Sequence, residues 1–135
     1  MLSGETAMGA HPVEAVQTMA SIAATTEEDI DYKVRFSNVY PAPLTKNITS
    51  AIGHATVTTA HDLGAAAIVT VTQSGTTARM ISKYRPDVPI IGATTEEKVL
   101  HQLMLSWGVV PVRCVRQDNT DALFDHAVEV GRTTG

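Results

Sequence analysis

The sequence predicts an α/β fold, arranged as a three-layer α/β/α unit around a mainly parallel sheet. Three observations predict it. Apolar runs at 65–72, 89–93 and 109–115 have strand length and end at turn residues. Segments with helical spacing separate them. The turns between are short, so successive strands must run parallel and be joined by right-handed crossovers.

Taken in order, residues 1–9 carry Gly4 and Gly9 and read as the end of a preceding structure. Pro12 suits a first helical position and Glu14 the positive end of that helix. Val13, Val16, Met19, Ala20 and Ala23 then recur at helical spacing, so a helix is expected to about Asp29. The acidic run Glu27, Glu28, Asp29 and Asp31 reads as a solvated helix end rather than a metal site. Residues 32–44 show no periodicity and contain Pro41 and Pro43, which suggests a linker.

Thr45 can cap a second helix with the stripe Ile48, Ile52, Ala55 and Thr59, closed near Leu63-Gly64. After strand 65–72, a helix is expected from Thr76 to Tyr84, stopped by Pro86. Strand 89–93 leads into Thr94 and Glu97, which have capping-box spacing ahead of Val99, Leu100, Leu103, Met104 and Trp107. Gly108 ends that helix, and strand 109–115 follows. A last helix is expected from a cap at Asn119 or Thr120 through Leu123, Ala127 and Val130, closed by Gly131.

Pro111 removes a ladder donor, which places the third strand at an edge. The strands at 65–72 and 89–93 are too apolar for edges. The order 3-2-1 nevertheless leaves one side of the first strand bare. Since the sequence reaches Arg132-Thr133-Thr134-Gly135 where a fourth strand would begin, the sheet is expected to be incomplete as written.

The most informative feature is the passage from Ala65–Thr72 into Gln73-Ser74-Gly75-Thr76-Thr77. A strand running into a helix N-terminus aims unpaired N–H groups and the positive end of the helix dipole at one point, a site suited to a phosphate. Ser74, Thr76 and Thr77 could equally be helix caps with no ligand. Arg79, Lys83 and Arg85 could add positive potential or form the solvated face of the helix.

Composition narrows the classes. With 44% hydrophobic and 18% charged residues, the 135-residue chain can bury a core. Its net charge of −4 and 4% aromatic content argue against nucleic acid or an anionic membrane as partner. The single cysteine, Cys114, cannot form an internal disulfide and reads as an inert packed thiol, so a reducing cytoplasm is expected. No apolar stretch approaches the roughly 20 residues that span a bilayer, and the first residues lack a signal peptide's pattern. His11, His54, His61, His101 and His126 show no metal-ligand spacing, although His54 and His61 can share a helix face. No metal is expected in the chain itself.

Several motifs together resemble a known family. Met1-Leu2-Ser3-Gly4-Glu5-Thr6-Ala7 followed by Pro12-Val13-Glu14-Ala15-Val16 resembles the segment of pyruvate kinase where its catalytic barrel closes. Ser74-Gly75-Thr76-Thr77-Ala78, Tyr84-Arg85-Pro86, Pro89-Ile90-Ile91 and Trp107-Gly108-Val109-Val110-Pro111-Val112 resemble the C-terminal domain of its bacterial form. The resemblance implies that 1–31 is the end of the barrel and its final helix, 32–44 a linker, and 45–135 a regulatory α/β domain lacking its last two strands.

It also implies phosphoryl transfer between phosphoenolpyruvate and ADP, with magnesium and potassium, in the full-length enzyme. Most residues that family uses for the reaction lie in motifs absent here; only Ser3 and Glu5 match its active-site rim. Two rim residues cannot position nucleotide, metal and substrate together, so the chain alone is not expected to catalyse. The resemblance further implies a homo-oligomer, tetrameric in the family, and an effector site at Thr72, Gln73, Ser74, Gly75, Thr76 and Thr77. Animal forms grip a second phosphate of fructose 1,6-bisphosphate with an arginine where alignment here places Leu123. Losing that charge-assisted bond costs typically about 1.5–3 kcal/mol, which favours a monophosphate such as ribose 5-phosphate or AMP, bound weakly. The contrasting expectation is an assembly module without its own ligand, pairing two copies through the bare edge of the first strand.

Overall fold

The computed structural model describes residues 2–114 together with Asp125, His126, Val128, Glu129 and Arg132. The chain divides into two compact units, Met1–Asp31 and Tyr32–Gly135. In the first, a short helix α1 (Gly4–Ala7) precedes α2 (Pro12–Glu28). Pro12 stands at the start of α2, as its missing N–H and fixed φ favour. The stripe Val13, Val16 and Met19 is exposed, and α2 has no buried residue.

The second unit runs α3 (Tyr32–Val39), α4 (Ile48–Leu63), β1 (Ile68–Val71), α5 (Thr76–Ser82), β2 (Ile90–Thr94), α6 (Glu97–Leu103) and β3 (Val109–Arg113). The three strands are parallel in the order β1-β2-β3. Register pairs Ile68 with Ile90 and Ile90 with Val109. Those three residues join Val57 and Ala60 of α4, Ala78 and Ile81 of α5, and Leu103 of α6 in one core. The opposite face carries Ile91, Ala93, Val112 and Cys114, flanked by Val69 and Val71. Of the expected last helix, Asp125, His126, Val128 and Glu129 are helical, whereas its cap at Asn119 or Thr120 and its residues Leu123, Ala127, Val130 and Gly131 lie outside the described residues.

Pro111 sits on the edge strand. Cys114 donates to Thr94 O, so the alternation along β3 turns the nitrogen of Pro111 away from β2, where no donor is needed.

Several local expectations are corrected. The segment 32–44 is not wholly irregular: α3 fills its first part and buries Phe36. That ring lies 5.1 Å from His54, 5.2 Å from His61 and 6.0 Å from Tyr84. Aromatic burial, which helical spacing alone did not signal, therefore makes it a packed element. The cap of α4 is Asn47, whose side chain accepts from Ser50 N, and not Thr45. The buried face of α4 is Ser50, Gly53, Val57 and Ala60, whereas Ile48 and Ile52 are 78% and 58% exposed. Small residues win that face because α5 approaches closely: a Cβ at Gly53 would stand 3.3 Å from both Met80 Cγ and Tyr84 Cε2. The expected capping box also fails to form. Thr94 ends β2, and its hydroxyl accepts from Glu96 N, one residue short of Glu97. Trp107 lies beyond α6, where the Arg85 guanidinium stacks 5.3 Å above its ring.

A buried polar knot fixes α4 to the end of α5. Tyr84 Oη donates to Ser50 O at 3.1 Å, bonds Ser50 Oγ at 2.8 Å and accepts Leu44 N–H at 3.0 Å. Tyr84→Phe leaves the Leu44 amide without its acceptor and Ser50 Oγ with only the Thr45 N–H, so urea melts should show a loss of about 1–3 kcal/mol. An unchanged midpoint would contradict this reading of the knot.

Candidate functional site

The turn after β1 is built from the strand upward. Thr72 continues the ladder, its amide donating to Ala93 O at 2.9 Å. Its buried hydroxyl then accepts the Gly75 N–H at 2.9 Å. Gly75 is the N-cap residue of α5, with φ of 76°, in the left-handed region. A side chain is excluded there twice over. The conformation disfavours one, and a Cβ would meet Arg79 Nη1, Val99 Cγ1 and Leu103 Cδ2 at 3.0–3.2 Å.

Around this pivot stand the exposed residues Gln73, Ser74, Thr76 and Thr77. Ser74 Oγ lies 2.9 Å from Thr76 Oγ1 and accepts weakly from Thr76 N at 3.4 Å. Arg79 folds back so that Nη2 donates to Ser74 O at 2.8 Å. No side chain caps α5. Gly75, and not Ser74, Thr76 or Thr77, holds the N-cap position, although Ser74 Oγ reaches the first helical amide. Thr72 and Ser74 serve the turn's own amides, Thr76 pairs with Ser74, and the N-terminal end of α5 stays open to solvent. Hydroxyls, amides and a guanidinium converge on one exposed corner, which is donor chemistry suited to an oxyanion.

Arg79 is the residue that sequence reading undervalued. Its position four residues after Gly75 placed it on the turn's side of the helix, and only the structure shows it folding back. Ser3 and Glu5 lie in the other unit and pair with each other: Ser3 N donates to Glu5 Oε2 at 2.9 Å. That bond, with Glu5's own amide, holds the Glu5 carboxyl below its ordinary value. Both residues are exposed.

His54 and His61 do share a face of α4, and both serve packing. His54 Nε2 bonds Tyr40 O at 2.9 Å, and His61 Nε2 meets Asp87 Oδ1 at 3.1 Å. Among the described residues no group of three or more His, Cys, Asp or Glu side chains could hold a metal ion. Cys114 is buried, and burial pushes its thiol up from its ordinary value.

The fold defines the class as an α/β domain whose parallel sheet is flanked by helices. Residues 50–135 match the family model described as "Pyruvate kinase, alpha/beta domain". The chain is 43% identical to the pyruvate kinase of Lactobacillus delbrueckii subsp. bulgaricus over 136 residues, covering 100% of this chain and 23% of that protein. It is 44% identical to the enzyme of Clostridium acetobutylicum over 135 residues, covering 100% of this chain and 28% of that protein. A crystal structure of a pyruvate kinase from Cryptosporidium parvum superposes with a TM-score of 0.86 at 36% identity, covering 99% of this chain and 28% of that one. The chain belongs to the pyruvate kinase family. It spans about a quarter of the length of these relatives.

Two outcomes test the site's construction. Thr72→Val leaves the buried Gly75 amide without its acceptor and should cost about 1–3 kcal/mol in a denaturant melt, whereas exposed Ser74→Ala should stay within about 0.5 kcal/mol. Equal losses would contradict the division of roles. For Cys114, a thiol raised by burial favours the protonated folded state. Its contribution is therefore full below the unfolded thiol's value of about 8.5 and is lost as pH climbs above it. The stability difference between the wild type and Cys114→Ala should shrink between pH 7.5 and 9.5; a constant difference would contradict it.

Proposed function

We propose that the chain is the effector-binding part of a pyruvate kinase, gripping a phosphate monoester at Thr72, Gln73, Ser74, Gly75, Thr76 and Thr77. The observation that carries this reading is the open end of α5, ringed by the Ser74 and Thr76 hydroxyls and backed by Arg79. The parent reaction is phosphoryl transfer between phosphoenolpyruvate and ADP, and the effector would act by population shift, binding one arrangement of the enzyme better than another.

Magnesium, potassium and ADP or ATP belong to that complete enzyme. The described residues offer no acidic cluster for a metal, so no catalytic step is assigned to them. Ser3 and Glu5 are proposed as rim residues of the parent active site, without activity of their own. The unit Met1–Asp31 is proposed as the end of the barrel, and residues 45–135 as the regulatory domain, into which 32–44 leads with α3 packed in the same unit. A cytoplasmic setting fits the single buried thiol and the lack, among the described residues, of a helix long and apolar enough to cross a membrane. Neither nucleic acid nor membrane is proposed as a partner; a homo-oligomer is.

The bound phosphate takes donors from hydroxyls and amides, and Arg79 supplies the charge. A bisphosphate would need a second cationic grip, and the sequence places Leu123 where animal relatives keep an arginine. A monophosphate, either ribose 5-phosphate or AMP, is therefore the proposed class.

Thermal melts test this. A ligand binding only the folded form stabilises by about 1.4 kcal/mol at ten times its Kd. Ribose 5-phosphate or AMP should raise the midpoint measurably, and Ser74→Asp should abolish the rise by placing a negative charge at the phosphate position. No shift with any phosphate ester, or a shift that survives Ser74→Asp, would overturn the proposal.

A further inference from the structure

The bend between α5 and β2 carries an inference that does not depend on the effector reading. Arg85 there has φ of 50°, and it is the one non-glycine among the described residues in the left-handed region. The other left-handed positions are Gly64, Gly75 and Gly108, where no side chain resists the conformation. A backbone that glycine would hold without strain is thus given to a residue whose side chain is used. The Arg85 guanidinium stands 5.3 Å above the Trp107 ring, and the same ring lies 5.5 Å from Tyr32 at 43°. The main chain around Trp107 is itself fixed. Its carbonyl accepts from Ser82 Oγ at 2.6 Å, and Gly108 O accepts from Ile90 N at 2.8 Å. The residue after Tyr32 reaches the same bend, with Lys33 Nζ 3.8 Å from Asp87 Oδ2 and 3.3 Å from His61 O.

We propose that the Arg85–Trp107–Tyr32 stack is a latch that sets where the connection between the two compact units ends. The division between the units falls between Asp31 and Tyr32, so the stack holds the first residue of the second unit. Arg85 and Trp107 lie on the loops that lead into β2 and β3, which gives the latch a support on the sheet. Phe36 is the one buried residue of α3. With the stack closed, the connection stops at Tyr32. With it open, the first turn of α3 loses its aromatic anchor and the connection runs on to Phe36. The partly exposed pair of Lys33 and Asp87 is too weak in water to replace that anchor. Such a turn belongs to the low-stability end of a fold and opens while the core stays closed.

The test is amide hydrogen exchange on the 135-residue chain, read at Phe36 and Ser37, whose amides close the first turn of α3. Tyr32→Ala should speed exchange at both roughly tenfold, while the core amides of Val57 and Ala78 keep the wild-type rate. Arg85→Gly relieves the backbone and removes the guanidinium. It should still speed exchange at Phe36 and Ser37, by roughly threefold, and shift the emission of Trp107, the sole tryptophan. Because it eases strain, this variant also guards against a Tyr32→Ala chain that fails to fold. Wild-type rates at Phe36 and Ser37 in either variant overturn the proposal; in Arg85→Gly they would mean that the side chain serves only its own bend. So do wild-type amides already unprotected at those two positions, or an increase in Tyr32→Ala spread equally over α3 and the core.

Discussion

The whole functional corner hangs on one backbone position. Gly75 must turn left-handed where β1 ends, and it must do so against Val99 and Leu103 of the neighbouring helix with no room for a Cβ. Because the pivot is clamped from below, the residues above it are held outward. Thr72 ties the pivot to the sheet through a buried hydroxyl, while Ser74 and Thr76 are left facing water. The same close packing that stabilises the sheet thus leaves exposed hydroxyls on a fixed support, the surface to which the proposed function assigns an anion. Order in the core and open donors at the rim arise from one constraint.

Unsatisfied donors alone would make a poor regulator. Arg79 adds directional charge, and its bond to Ser74 O ties the charge to the turn. The far end of α5 is anchored in turn by Tyr84, whose hydroxyl reaches Ser50 and Leu44. A ligand at the near end is therefore coupled through one short helix to the packing of α4. Under the proposed function, that is the route by which a phosphate ester at the turn would bias a larger assembly.

Much of this was legible in the sequence. Three strands, their parallel order, the edge position forced by Pro111 and the turn itself all followed from spacing, length and turn chemistry. The family followed from ordered motifs such as Ser74-Gly75-Thr76-Thr77-Ala78 and Trp107-Gly108-Val109-Val110-Pro111-Val112. The errors came from tertiary packing. The apolar stripe Ile48, Ile52, Ala55 and Thr59 looked like a buried face, yet close approach of α5 selected Ser50 and Gly53 instead. Residues 32–39 lacked a helical pattern because α3 is fixed largely by one side chain, Phe36, among His54, His61 and Tyr84. Thr94 had a capping box's spacing, but the strand kept it. Arg79 could be placed near the turn from the sequence, although its backward bond could not.

The central claim is that a phosphate monoester occupies the corner between Thr72 and Thr77. An NMR titration of the amide-labelled chain with ribose 5-phosphate tests it most directly. Saturable shifts centred on the amides of Ser74 through Ala78, with a matching change at the Arg79 guanidinium, are the expected result. Shifts that never saturate, or that cluster elsewhere while these amides stay still, would contradict it.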